Sequence, residues 1–348
     1  MNNFLSDNVS GISREILEGL NKINHGSANS YGEDDQTKKL QNNANSLFEK
    51  EVSIFPVTSG TAANSIAFAS CVPPYGAILC SQESHINQDE CNAPEFYTGG
   101  AKLVKVKSSV GKIIDANLSN VIENLAPHGI HNAQPILVSI TQSTELGTIY
   151  TLDEIRSIAK IAKENNILLH MDGARIANAV TSLNCSWADI TWKSGVDILS
   201  FGATKNGTFG SEAIIYFNKN LSKNVEYYRK RGGHLISKMR FISSQLNSYI
   251  ETGIWEKNAK NANEMAKTLE KHLNHIVGVD VVYPVESNSV FVKMPDDLVE
   301  KLYNRGFAFG QWGKKAKKIY RIMASFDTNK ESIINFSNAI KEEIECAE

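Results

Sequence analysis

The sequence predicts an α/β protein: a mostly parallel seven-stranded sheet flanked by helices, with a smaller α+β domain at the C-terminal end. Three observations carry this. Short apolar, β-branched runs recur along the chain, with helical spacing between them. Several of these runs are apolar on both faces, as strands covered on both sides must be. After about residue 250 the rhythm changes to helix, strand, strand, helix, strand, helix.

The seven strands are read at Val52–Val57, Ala77–Ser81, Lys102–Lys107, Pro135–Ile140, Ile167–Met171, Asp197–Phe201 and Ala213–Asn218. Between the fourth and fifth, Thr151–Asn165 places Leu152, Ile155, Ile158, Ala159 and Ala162 on one stripe, which is a helix signature. Thr151 is its N-cap, and Glu154 completes a capping box. Strands alternating with helices imply βαβ units joined by right-handed crossovers. Later, a helix over Trp255–Val277 precedes strands at Val279–Val285 and Val290–Met294. A helix near Asp296–Asn304, a strand at Ile319–Phe326 and a last helix from Asn329 to Glu345 follow. The expected division is a large domain over residues 1–245 and a small one over residues 246–348.

Of the 348 residues, 42% are hydrophobic and 21% charged, a globular rather than a disordered composition. A net charge of −2 gives no electrostatic footprint for nucleic acid. No apolar run approaches the roughly 20 residues of a membrane span. The opening Met1–Asn8 has no basic segment followed by an apolar one. Cys71, Cys80, Cys91, Cys185 and Cys346 are scattered, odd in number and free of CxxC spacing, so free thiols and a cytoplasmic location are expected.

In open α/β sheets, ligands collect beyond the carboxyl ends of the strands. Ser59-Gly60-Thr61 follows the first strand and opens a helix, where backbone N–H groups can cradle a phosphate. An ordinary capped strand–helix turn has the same appearance. Asp172 ends the fifth strand in His170-Met171-Asp172-Gly173-Ala174-Arg175; it reads either as a helix cap or as a ligand carboxylate. Arg175 is a bidentate clamp if an anion lies beside it. Lys205 follows the sixth strand in Phe201-Gly202-Ala203-Thr204-Lys205-Asn206-Gly207. Desolvation there would favour its neutral, nucleophilic amine.

An acid that keeps a pyridine nitrogen protonated and a lysine that holds an aldehyde as a Schiff base are what pyridoxal phosphate (PLP) requires. His85, after the second strand, has an imidazole able to stack on a pyridine ring and move protons. Arg321, within a late strand, needs an anionic partner: a substrate carboxylate or a structural one. The chain has no GxGxxG, no GxxxxGK[ST] and no HExxH, which disfavours dinucleotide, ATP and zinc chemistry.

With these residues in view, the chain resembles the L-threonine aldolase family of PLP enzymes. That family belongs to the fold-type I, aspartate-aminotransferase-like group. The resemblance runs through Ser6-Asp7-Asn8, Tyr31-Gly32-Glu33-Asp34, Ser59-Gly60-Thr61, His85 to Glu90-Cys91 and Gly99-Gly100, His170 to Arg175, the Lys205 turn, Arg231-Gly232-Gly233-His234 and Arg321. The branch it resembles is the bacterial one that also includes phenylserine aldolase.

The resemblance implies that Lys205 carries the cofactor, Asp172 pairs with its pyridine nitrogen and His85 stacks on the ring. Gly60 and Thr61, with Ser59, hold the phosphate, and Arg175 positions cofactor or substrate. Ser6, on an N-terminal arm of about residues 1–20, and Arg321 bind the amino acid carboxylate. Tyr31, and a basic group around Arg231 or Arg240, serve the site of a neighbouring subunit, so a homo-oligomer, dimer or dimer of dimers, is implied. The implied reaction is retro-aldol cleavage of L-threonine or L-allo-threonine to glycine and acetaldehyde. The alternatives are phenylserine cleavage, β-elimination or racemisation at the same cofactor, or a non-enzymatic protein binding a phosphorylated ligand.

Two departures from the family pattern bear on substrate preference. Where many members carry Asn-Thr-His after the fourth strand, this chain has Thr141-Gln142-Ser143-Thr144-Glu145, with Thr144 at the histidine position. Gly-Ala-Thr precedes Lys205 in place of Leu-Ser.

Overall fold

The computed structural model describes residues 2–346. Its main sheet has seven strands: β1 Ser53–Val57, β2 Gly76–Ser81, β3 Lys102–Val106, β4 Gln134–Thr141, β5 Leu168–Gly173, β6 Ile198–Phe201 and β7 Glu212–Tyr216, in the spatial order β1-β7-β6-β5-β4-β2-β3. The strands from β3 to β6 pair in parallel, while β7 runs antiparallel to both β6 and β1. The mostly parallel sheet is therefore as the sequence predicts, with its one reversal at β7. The centre of the sheet is buried along whole strands, as in β2, β6 and β7, because helices cover both faces.

The helix Leu152–Glu164 begins at the predicted capping box, Thr151 accepting from Glu154 N–H and Glu154 bonding back to Thr151 N–H. It turns Ile155, Ile158 and Ala162 into the core. Each of the two isoleucines stabilises the fold by roughly 1.5–3 kcal/mol when buried in this way.

A second sheet of four strands, β8 Asp280–Val281, β9 Ser289–Lys293, β10 Gly310–Trp312 and β11 Ile319–Met323, follows in the order β8-β9-β11-β10. β8 is shorter than the predicted Val279–Val285, because pairing stops after Val281. β10 carries a Gly-Gln-Trp run too short to show periodicity, and sequence reasoning missed it. Helices Asp296–Asn304 and Lys330–Glu345 cover this sheet, the latter capped by Asn329.

Helix Ile254–Leu273 serves both cores. Ile254 and Ala259 pack with the large sheet, whereas Met265, Ala266, Leu269 and Leu273 pack with the small one. The first residues of the chain also cross between the two. Asn2 and Asn3 pair in parallel with Phe307 and Ala308, and Phe4 is buried in the small core.

Candidate active site

One edge of the main sheet gathers the chemistry. The end of β5 and the turns after β2, β4, β5 and β6 bring Asp172, His85, Glu145, Arg175 and Lys205 to a cavity of about 380 Å³. Ser6 and Asn8 of the N-terminal segment close one side, and Arg321 of β11 another. The turns bearing Asp172 and Lys205 touch: a side chain at Gly202 would stand 2.6 Å from Ala174 Cα and Gly173 O. Only glycine permits that approach.

Asp172 is buried and oriented from two sides. Its Oδ1 accepts from Ala174 N–H at 3.0 Å and its Oδ2 from Asn64 Nδ2 at 2.9 Å. Asn64 Nδ2 also donates to Glu90 Oε1 at 2.9 Å, and that same oxygen meets His85 Nδ1 at 2.8 Å. A continuous line, Asp172–Asn64–Glu90–His85, thus fixes both an acid and an imidazole. The hydrogen bond to Glu90 raises the His85 pKa, against the opposing effect of burial. The ring is 41% exposed toward the cavity side, so Nε2 can meet a ligand while Nδ1 is held.

Lys205 sits in a short turn whose N–H groups at Ala203 and Thr204 donate to Glu212 at 3.1 and 3.2 Å. Burial, then the Arg175 guanidinium, lower its pKa, favouring the neutral amine; Asp7, Asp172 and Glu212 pull the other way. Arg321 donates from Nη2 to Leu5 O at 3.3 Å, lies 5.2 Å from the Trp312 ring centroid and leaves Nε buried without a partner.

The structure refines several sequence expectations. Gly60 and Thr61 line the cavity at the N-terminus of helix Gly60–Cys71, where the first N–H groups have no intrahelical acceptor. Ser59 does not line it; its hydroxyl caps the helix, accepting from Ala62 N–H at 3.2 Å. Ser6 does line it, its Oγ accepting from Asn8 N–H at 3.1 Å. Arg175 reaches the cavity with Nε and Nη2 already held by Asp7. Tyr31 lies outside this cavity, half exposed beneath Lys230 at 4.2 Å. Arg231 and Arg240 are outside it as well.

Thr144 is buried and engaged with Thr148 Oγ1 at 2.7 Å, away from the cavity. The next residue, Glu145, lines it instead. Its Oε1 accepts from Thr141 Oγ1 and from His85 N–H, each at 2.8 Å, while Oε2 is sealed from solvent with no partner. Burial pushes its pKa up to about 7, although those donors oppose the shift. Sequence reasoning missed Glu145, Asn64 and Glu90 as working groups.

The cavity fits PLP. Four of its lining residues carry a buried polar atom without a partner: Asn64 Oδ1, Glu90 Oε2, Glu145 Oε2 and Arg321 Nε. Thr204 Oγ1, beside Lys205, is another. Buried polar groups are normally paired, so their concentration here indicates a place kept for a polar ligand.

This topology, with a lysine, an acid and an imidazole at the carboxyl edge, is that of a fold-type I PLP enzyme. The chain belongs to the Beta-eliminating lyase family, whose model matches residues 3–297, and that family is PLP-dependent. More particularly, it is 41% identical over 329 residues to the low specificity L-threonine aldolase of Pseudomonas sp. strain NCIMB 10558, covering 93% of each chain. It is 38% identical over 342 residues to the enzyme of that name from Pseudomonas aeruginosa, covering 97% of this chain and 96% of the relative. The solved structure of Leishmania major threonine aldolase superposes with a TM-score of 0.92 at 27% identity, over 98% of this chain and 99% of that one. Mouse CSAD, 15% identical with a TM-score of 0.77, shares the fold alone.

Proposed function

We propose that the chain cleaves L-threonine and L-allo-threonine reversibly to glycine and acetaldehyde. The observation that carries the reading is the convergence of Lys205, the Asp172–Asn64–Glu90–His85 line and the incompletely bonded Arg321 on one cavity. Lys205 would hold the cofactor covalently, Asp172 would pair with its pyridine nitrogen, and Gly60 and Thr61 would take its phosphate. The chemistry pyridoxal phosphate supplies there is an electron sink for the pair left on Cα when the Cα–Cβ bond breaks.

The chain's own groups do the rest. Arg321 and Ser6 bind the substrate carboxylate and set the orientation of the breaking bond. His85 Nε2 accepts the β-hydroxyl proton, and Glu90, bonded to Nδ1, stabilises the imidazolium that results. Glu145 tethers the His85 turn through its main-chain N–H.

The same proposal includes a homo-oligomer, dimer or dimer of dimers, in which Tyr31 and a basic group around Arg231 or Arg240 serve a neighbouring subunit. It includes a division near residue 245, supported by the two separate cores. A cytoplasmic location is part of the reading too, and no described helix is long and apolar enough to cross a membrane.

The test is an assay of the purified, PLP-supplied protein with threonine, allo-threonine, phenylserine and serine. Glycine and acetaldehyde from the first two support the reading. Turnover of serine alone, or of none, would sink it.

A further inference from the structure

The wall of the cavity is almost wholly polar. Apart from the His85 imidazole, Trp312 is the one aromatic side chain lining it among the described residues, and the methyl of Ala174 is the only other apolar one. A β-hydroxy-α-amino acid brings an amine, a carboxylate and a hydroxyl, but also an apolar substituent on Cβ. Against a polar wall that substituent would strip water from groups it cannot bond. It needs an apolar surface.

The pleat of the small sheet places the indole. Val290 and Val292 of β9, with Tyr320 and Ile322 of β11, point into the small core. Side chains alternate along a strand, so Phe291, Ile319 and Arg321 stand on the other face. On β10, Gly310 pairs with Arg321 and Trp312 pairs with Ile319, so both share that face. Gly310 has no side chain to separate Trp312 from Arg321, and the indole centroid lies 5.2 Å from the guanidinium carbon. Phe291, opposite Arg321 on the other neighbouring strand, meets the indole edge to face, with centroids 5.2 Å apart and planes at 75°. Arg321 and Phe291 thus hold a half-buried ring in place. Cation–π contact uses no N–H donor, so the guanidinium stays available to a carboxylate.

We infer that Trp312 is a specificity-determining residue: its indole is the wall that receives the Cβ substituent of the substrate, and it favours aryl substituents over methyl. The inference rests on the reading that Arg321 takes the substrate carboxylate. With that anchor, Cβ lies only two bonds from the carboxylate carbon, beside the ring that packs on the same guanidinium. A methyl covers little of an indole. An aryl ring covers far more and adds an aromatic pair, which amounts to about tenfold in affinity.

The experiment measures kcat/KM of the PLP-supplied protein for threonine and phenylserine. Alongside it, calorimetry reads binding of butyrate and hydrocinnamate, monocarboxylates without and with a terminal ring, to the cofactor-free protein. In Trp312→Ala both ratios, phenylserine to threonine and hydrocinnamate to butyrate, should fall about tenfold. Trp312→Phe keeps an aromatic face and should hold both ratios within about threefold of wild type. An indole that only steadied Arg321 would lower all four quantities alike. Ratios unchanged in Trp312→Ala would therefore overturn the inference, whatever happens to the absolute values.

If Trp312→Ala does not fold, Trp312→Leu decides the matter, since it keeps an apolar side chain on the edge strand. Both ratios should then fall by about threefold or more, the share of an aromatic pair alone; ratios equal to wild type overturn the inference. Binding is read without turnover, so the two proposals fail separately. Hydrocinnamate selectivity that depends on Trp312, in a protein that does not cleave threonine, overturns only the aldol reading. Threonine cleavage with selectivity indifferent to Trp312 overturns only this one. Binding of both acids that survives Arg321→Gln overturns the carboxylate anchor, and this inference with it.

Discussion

Two buried polar regions lie a few ångströms apart on the same sheet and behave in opposite ways. Midway along β5, His170 is fully buried, with Nδ1 meeting Ser139 Oγ at 2.9 Å and Nε2 meeting Ser200 Oγ at 3.0 Å. The Phe68 ring packs against it edge-on at 4.8 Å. Burial lowers its pKa to about 4, so it stays neutral and locked across three strands. Two residues later, one short of the strand's end, stands Asp172, and around it Asn64, Glu90, Glu145 and Arg321 each leave an atom unpartnered. His85 likewise commits only one ring nitrogen. Residue type does not separate the structural histidine from the working one. Completeness of hydrogen bonding does.

The sharpest way to break that distinction is Lys205→Ala. It should abolish threonine cleavage and retention of PLP while leaving the melting temperature of the cofactor-free protein unchanged or higher, because a buried cation is removed; residual turnover would refute the assignment. Glu90→Gln should come next. Losing the carboxylate behind His85 is expected to lower kcat by about a hundredfold, within the usual range for general acid–base groups. It should also lower the His85 pKa, which NMR titration of the ring would read. An unchanged pKa would mean that Glu90 does not control the imidazole.

At the structural histidine the pattern should invert. His170→Leu is expected to reduce stability by about 1–3 kcal/mol for each serine hydroxyl left unpartnered, measured by denaturant unfolding, with turnover of the folded fraction largely kept. A variant as stable as wild type but inactive would place His170 among the working groups.

The smallest effect concerns pH. Glu145 is raised from the ordinary 4.5 to about 7 in the folded chain. The native state then binds its proton more tightly than the unfolded state, so the stabilisation is complete below about pH 4.5 and lost as pH rises through about 7. The melting temperature of the cofactor-free protein should fall over that window, and Glu145→Gln should flatten the decline. A slope identical in the variant would show that another group titrates there.

Much of this was legible in the residues. β-branched runs apolar on both faces identified the strands within a residue or two, because burial on both sides leaves no polar alternation. Lys205, Asp172 and His85 stood out because each follows such a run. Asn64 and Glu145 did not stand out, since their roles arise from contacts with Asp172 and His85 that lie far away in sequence. Ser59 is the opposite case: one hydroxyl at a helix N-terminus can serve a phosphate, the helix or both, and here its oxygen accepts from Ala62 N–H. The change of rhythm after about residue 250 was legible; that helix Ile254–Leu273 packs on one core at Ile254 and Ala259 and on the other from Met265 was not, because one continuous stripe serves both.

The placement of the N-terminal segment also bears on how the protein matures. Ser6 and Asn8 wall the cavity and Asp7 holds Arg175, but the segment is pinned by backbone bonds to Phe307, Ala308 and Met323. Residues 2–8 can therefore dock only after the strands that carry Phe307, Ala308 and Met323 are in place. A nascent chain, even with its large sheet complete, carries an open and unfinished pocket. The pocket is thus completed by a long-range closure, and whatever loosens the late strands also opens its N-terminal wall.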